Sequence, residues 1–159
     1  MIYFYGHSED KPYCQFSQFY PSNFNENGVD FKWAEQYMMY HKALLFQDLG
    51  VASEILKCTH PSQCKKLGRK VKSFNNNVWD NHKYQIVLNG NLLKFSQNEN
   101  LKNLLLSTGN SLIAEAAEND PVWGIGLSVQ EAKQGRQWRG ENLLGKVLVE
   151  VREQLLNVE

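Results

Sequence analysis

Between Ala34 and Leu106 the apolar residues return every three or four positions in one block after another, and this helical period is what most restricts the fold. The first block runs from about Ala34 to Phe46, with Tyr37, Tyr40, Leu44 and Leu45 in step. Asp48 can cap a second helix reaching about Cys58, where Pro61 halts it. Pro61 suits the first turn of a third helix through Cys64, Leu67 and Val71, because its missing N–H is an orphan there in any case. Trp79 to Phe95 reads as a longer helix, and Asn100 to Leu106 as a short one closed by Thr108-Gly109. A last amphipathic helix carries Leu144, Val147, Leu148, Val151 and Leu155.

Strands are fewer. Ile2 to Tyr5 is aromatic-rich and short, and Val29 to Trp33 is expected to pair back on it after a loop holding Pro12, Pro21 and Gly28. Leu112 to Ala116 fits a strand or a helix equally, and Asp120 to Gly140 is a loop rich in glycine and tryptophan. The expectation is a mainly helical α+β fold with a small antiparallel sheet, spanning residues 1–159 as one domain.

Charge narrows the function classes. Lys+Arg and Asp+Glu both number 17, so the chain lacks the basic excess typical of proteins that track long nucleic acid. No apolar run approaches the roughly 20 residues of a membrane span, and the opening residues lack a signal-peptide pattern. Cys14, Cys58 and Cys64 form no CxxC and read as reduced thiols of a cytoplasmic protein. His7, His41, His60 and His82 show no ligand spacing, so neither metal nor other cofactor is expected, nor a membrane partner; oligomeric state is left open.

Four places carry residues suited to chemistry. Glu35 opens the first helix and Lys42 lies seven residues on, on the same face two turns away. A carboxylate at a helix start is ordinarily a partner of the helix dipole, and that reading competes with a catalytic one. Trp79, in Val78-Trp79-Asp80, is either a core anchor or a surface for a base to stack on. Asp120 precedes Trp123-Gly124-Ile125-Gly126, whose glycines let backbone approach a ligand or simply make a tight turn. Gly145, following Gly140 and Asn142, interrupts a helical pattern and implies close approach of another helix or a ligand.

Taken together, an ordered set resembles the NADAR family of YbiA-like proteins. It comprises Pro12-Tyr13, Phe16-Ser17, Phe19, Pro21, Phe24, Trp33, Glu35, Tyr37, Lys42, Gly68-Arg69, Trp79, Lys83, Lys94-Phe95, Gln97-Asn98, Leu104-Leu105, Thr108, Asp120, Trp123-Gly124, Gly126, Gly140, Asn142, Leu144-Gly145 and Arg152. The resemblance covers nearly the whole chain. It implies hydrolysis of the bond between ribose and a base nitrogen, on either of two substrate classes. One is ADP-ribosylated guanine in nucleic acid, which loses its ADP-ribose; the other is the ribosylamino-pyrimidine phosphates of riboflavin biosynthesis. By similarity the family's glutamate falls on Glu35, its tryptophan on Trp79 and its acid before the glycine loop on Asp120; Glu35 and Asp120 are the candidate catalytic carboxylates, either one as the base, with Trp79 stacking on the base or ribose. Lys42 is a candidate phosphate ligand or Schiff-base amine, and Trp123, Gly124, Gly126, Arg69, Lys83, Asn142 and Phe19 are candidate substrate contacts. Two departures stand out: Ser17-Gln18 replaces the family's Ser-Asn, and Glu35-Gln36 its Glu-His. Gln137-Trp138-Arg139 lengthens the loop before Gly140, which is more similar to the ADP-ribose-directed branch. A non-catalytic ADP-ribose-binding module and a purely structural protein are the competing classes, separated from an enzyme by product release and by ligand-induced stabilisation.

Overall fold

The computed structural model describes residues 1–158, which pack as two units. One unit is Pro21–Asn98; the other is Met1–Tyr20 together with the chain from Glu99 onward.

In the Pro21–Asn98 unit, β1 of the hairpin is Phe24–Glu26 and β2 is Val29–Phe31, antiparallel, with Phe24 opposite Phe31. The reason is local. Asn27 and Gly28 both take positive φ, 52° and 89°, the pair of left-handed residues that closes a two-residue hairpin. Four helices follow: α1 Ala34–Leu45, α2 Leu49–Leu56, α3 Pro61–Gly68 and α4 Asn76–Ser96. Asp48 accepts from the Val51 amide at 3.2 Å and so caps α2 as expected, and Pro61 sits in the first turn of α3. Asn75 accepts from the Val78 amide at 3.1 Å, so α4 starts inside the asparagine run, earlier than the apolar period alone indicates. The third helix stops at Gly68 and Val71 reaches the core from the loop beyond it.

Helix α1 crosses its neighbours closely because glycines leave room. A Cβ on Gly90 of α4 would lie 2.6 Å from the Tyr37 ring, and one on Gly68 of α3 would strike the Met39 side chain. Trp33, Met39, Ala43, Ala52, Ile55, Cys58, Cys64 and Val71 make one core cluster, and Phe24, Phe31 and Tyr37 another.

In the second unit, β3 is Ile2–Phe4 and β4 is Ile113–Glu115. They pair in parallel, with Ile2 opposite Ile113 and Phe4 opposite Glu115. This corrects the expected pairing of the opening strand with Val29–Trp33, whose partner is the adjacent Phe24–Glu26 because the Asn27-Gly28 turn returns the chain at once. The antiparallel element of the fold is therefore the hairpin, and the aromatic opening belongs to a parallel pair. Helices α5 Glu99–Ser107, α6 Val129–Lys133 and α7 Leu143–Leu156 complete the unit. Helix α6 lies in the stretch expected to be loop, and a capping box fastens it: Ser128 and Glu131 each accept from the other's backbone amide. Arg152 of α7 is buried and donates to Thr108 Oγ1 and the Ser111 carbonyl, both at 2.8 Å, which ties α7 to the end of α5. No helix among the described residues is long and apolar enough to cross a membrane.

Candidate active site

Helix α1 brings the first candidate group together. Glu35 in its first turn is buried, 5 % exposed, and acts electrostatically on Lys42 two turns later and on the thiol of Cys64. The Lys42 ammonium lies 4.6 Å from the centroid of the Phe74 ring and 5.6 Å from that of Trp79. Both are cation–π distances. Burial pulls the Lys42 amine below the ordinary lysine range; Glu35 opposes this and the positive charge of Arg69 adds to it. Glu35, Lys42, Arg69 and Trp79, four of the sequence candidates, thus share one neighbourhood. Burial and the neighbouring Cys58, with Glu35, push the Cys64 thiol upward, which leaves it protonated and unreactive.

Phe74 is the member the sequence reading missed. An aromatic ring alone in the polar run Lys72-Ser73-Phe74-Asn75-Asn76-Asn77 was the available signal. Lys83, a turn after Trp79 on α4, pairs with Asp80 at 2.9 Å. Gln36, where the resemblance puts histidine, spends its amide on the backbone: Nε2 donates to the Ile55 carbonyl at 3.0 Å and Oε1 accepts from the Lys32 amide at 2.8 Å. It ties α2 and the residue following β2 to α1, so no imidazole stands beside Glu35 at this position.

The other unit holds the remaining candidates. Asp120 Oδ1 accepts from the amides of Val122 at 3.0 Å and Trp123 at 2.9 Å, fastening the turn into the glycine loop. The carbonyls of Pro121, Val122, Trp123 and Gly124 accept from Glu141, Leu143, Leu144 and Asn142 amides, so this loop runs against the residues that start α7. A Cβ on Gly124 would lie 2.8 Å from Ala117 Cβ, and one on Gly126, at φ 71°, 3.0 Å from Arg139 Cβ. Close backbone packing accounts for both glycines. Asn142, also left-handed at φ 55°, donates from Nδ2 to the Ile113 carbonyl at 3.0 Å and accepts at Oδ1 from the Glu115 amide at 3.1 Å. Its side chain joins the start of α7 to β4. Phe19 packs its ring against His7, with centroids 5.7 Å apart. Among the described residues no group of three or more His, Cys, Asp or Glu side chains converges as a metal site would require.

A buried carboxylate, a half-buried amine and two aromatic rings on a mainly helical α+β scaffold form a candidate active site, and the chain's relatives are N-glycosidases, a class of hydrolase. The NADAR domain family model matches residues 3–156, and the chain belongs to the NADAR domain family. It is 47 % identical over 161 residues to N-glycosidase R617 of Acanthamoeba polyphaga mimivirus, covering 96 % of this chain and 95 % of the relative. It is 32 % identical to N-glycosidase YbiA of Escherichia coli K12 over 155 residues, covering 98 % and 88 %. The NMR structure of the E. coli protein YbiA superposes with a TM-score of 0.80 at 27 % identity, covering 99 % of this chain and 86 % of that one.

Proposed function

We propose that this N-glycosidase of the NADAR family removes ADP-ribose from ADP-ribosylated guanine in nucleic acid, with Glu35 and Lys42 at the reacting sugar. The observation that carries the reading is the buried Glu35 beside a Lys42 whose amine is partly desolvated under two aromatic rings. Cleaving a ribosyl C–N bond builds positive charge at C1′, and a carboxylate held out of water stabilises that charge or takes a proton from the attacking water. Water supplies the oxygen that ends on C1′ and the proton that ends on the departing nitrogen.

Lys42 serves in one of two ways. As an ammonium it holds a phosphate oxygen, with Arg69 adding charge; as a neutral amine it attacks the aldehyde of the ring-opened ribose and expels water to form a Schiff base. The lengthened loop at Gln137-Trp138-Arg139 and the balanced charge, 17 against 17, support recognition of the modification itself over grip on a long polyanion. Asp120 stays as the proposed second carboxylate, sharing the catalytic tasks with Glu35, and Trp123, Lys83, Phe19, Asn142 and the amides of Gly124 and Gly126 stay as proposed substrate contacts of the family type.

The test offers the purified protein, in separate reactions and in large excess, an oligonucleotide carrying ADP-ribosyl-guanine and a ribosylamino-pyrimidine 5-phosphate. Catalytic release of ADP-ribose from the first is expected. Release of ribose 5-phosphate from the second alone moves the substrate to the riboflavin class, and binding without turnover makes the chain a reader of ADP-ribose. Glu35→Gln is expected to fold normally and lose at least about 100-fold in turnover, the scale of general acid–base catalysis. A variant at wild-type rate would remove Glu35 from the mechanism.

A further inference from the structure

We propose that Phe74 is the surface on which the base of the substrate stacks, making it a specificity-determining residue next to Lys42. This rests on the reading of Glu35 and Lys42 as the reacting centre.

Phe74 is 42 % exposed, although a phenyl ring gains most when buried. Its edge contact with Phe46, centroids 5.3 Å apart at 66°, anchors the ring without covering it. Val78, 37 % exposed on the first turn of α4, adds further uncovered apolar area in the same segment. The exposed ring is the same one that stands 4.6 Å from the Lys42 ammonium, so it borders the centre and is no remote surface patch.

The backbone on both sides of Phe74 is fastened. Asp48, while capping α2 with Oδ1, accepts from the Lys72 amide through Oδ2 at 3.0 Å. Asn75 caps α4, and Ser73 between the two anchors takes φ 59°, a left-handed conformation unusual for serine. A ring held this way loses little freedom when a ligand covers it, which favours binding.

The occupant follows from size and chemistry. One partly exposed ring is far too small for a protein interface, which needs several hundred Å² per partner. It matches the face of a single base, and stacking on an aromatic side chain tolerates any base because each has a π-face. With ribose C1′ near Glu35 and Lys42, the base attached to that carbon is the part of the substrate within reach of a neighbouring ring.

The experiment compares wild type with Phe74→Leu, Phe74→Ala and Phe74→Trp on the ADP-ribosyl-guanine oligonucleotide. It also measures binding of an unmodified, fluorescently labelled guanine-containing single strand at low salt. Loss of stacking should raise KM, and weaken binding of the unmodified strand, by roughly 5- to 100-fold in the Leu and Ala variants, with kcat within about threefold. The Trp variant should stay within about threefold of wild type in both. A Leu variant that matches wild type in KM and in strand binding overturns the proposal. So does a loss confined to kcat, which would mean the ring only holds Lys42 in place. If the wild type fails to turn over the oligonucleotide, the functional reading is what fails, and the strand-binding comparison still decides Phe74.

Discussion

Lys42 is placed where its own charge is disfavoured. Burial and the nearby Arg69 both work toward the neutral amine, and Glu35 works against them. The net shift is downward, so the neutral, nucleophilic form becomes populated at lower pH than for an ordinary lysine. Borohydride trapping of a Schiff base should therefore rise with pH through a midpoint below the ordinary lysine range. Arg69→Gln removes a like charge, so the same midpoint should move upward; no trapped adduct at any pH eliminates the covalent role. Asp120 poses a different question, because its Oδ1 already holds two backbone amides. Asparagine accepts the same two bonds, so Asp120→Asn should keep its Tm while losing most of its turnover. Wild-type rates in that variant would assign Asp120 to fastening the loop alone. At this scale the shared face of Glu35 and Lys42 was legible, since a seven-residue interval returns to one helix face whatever the surroundings. The contact of Phe74 with Lys42 was not, because nothing local says which ring stands beside a given amine.

Helix α1 works with two opposite faces. At about 100° per residue, Glu35 and Lys42 lie within about 20° of each other, while Tyr37 and His41 project from the far side. On that far side Glu26 of the hairpin accepts from Tyr37 Oη and contacts His41 Nε2, both at 2.7 Å. The hairpin thus grips the face opposite Glu35 and Lys42. Helix α7 shows the same dependence on close approach. A Cβ on Gly145 would fall on the Ile113 carbonyl oxygen and on the Asn142 side chain, which pins α7 against β4. Alanine is the better helix former by about 1 kcal/mol. Even so, Gly145→Ala should lower stability by about 2 kcal/mol through overpacking, read from the denaturation midpoint. A more stable variant would show that β4 and α7 can move apart. Most helices were legible from period, caps and prolines; the hairpin was announced by Asn27-Gly28, a turn signal that the sequence reading passed over.

For the molecule as a whole, the Tyr37–Glu26 bond couples unfolding to alkaline pH. Burial first, then the bond and charge of Glu26, raise the Tyr37 hydroxyl well above the ordinary tyrosine range. A proton held more tightly in the folded chain contributes stability that is fully present below about pH 10 and falls away as pH rises beyond it. Tyr37→Phe should cost about 1 kcal/mol at neutral pH, and the gap between its Tm and that of wild type should narrow above pH 10. A gap that stays constant would show that Tyr37 does not carry the alkaline loss. The parallel pairing of Ile2–Phe4 with Ile113–Glu115 is the clearest feature that residue patterns could not supply. More than a hundred residues separate the two strands in sequence, and runs of three residues specify no partner. What the sequence by itself determined was local: helical period, capping side chains, turn residues and the family pattern they spell out, all readable within a few positions. Tertiary structure alone decided which strands pair, which glycines make room for a neighbour, and which ring flanks Lys42. These depend on contacts between distant segments, whose energies are set by packing and burial in the folded chain.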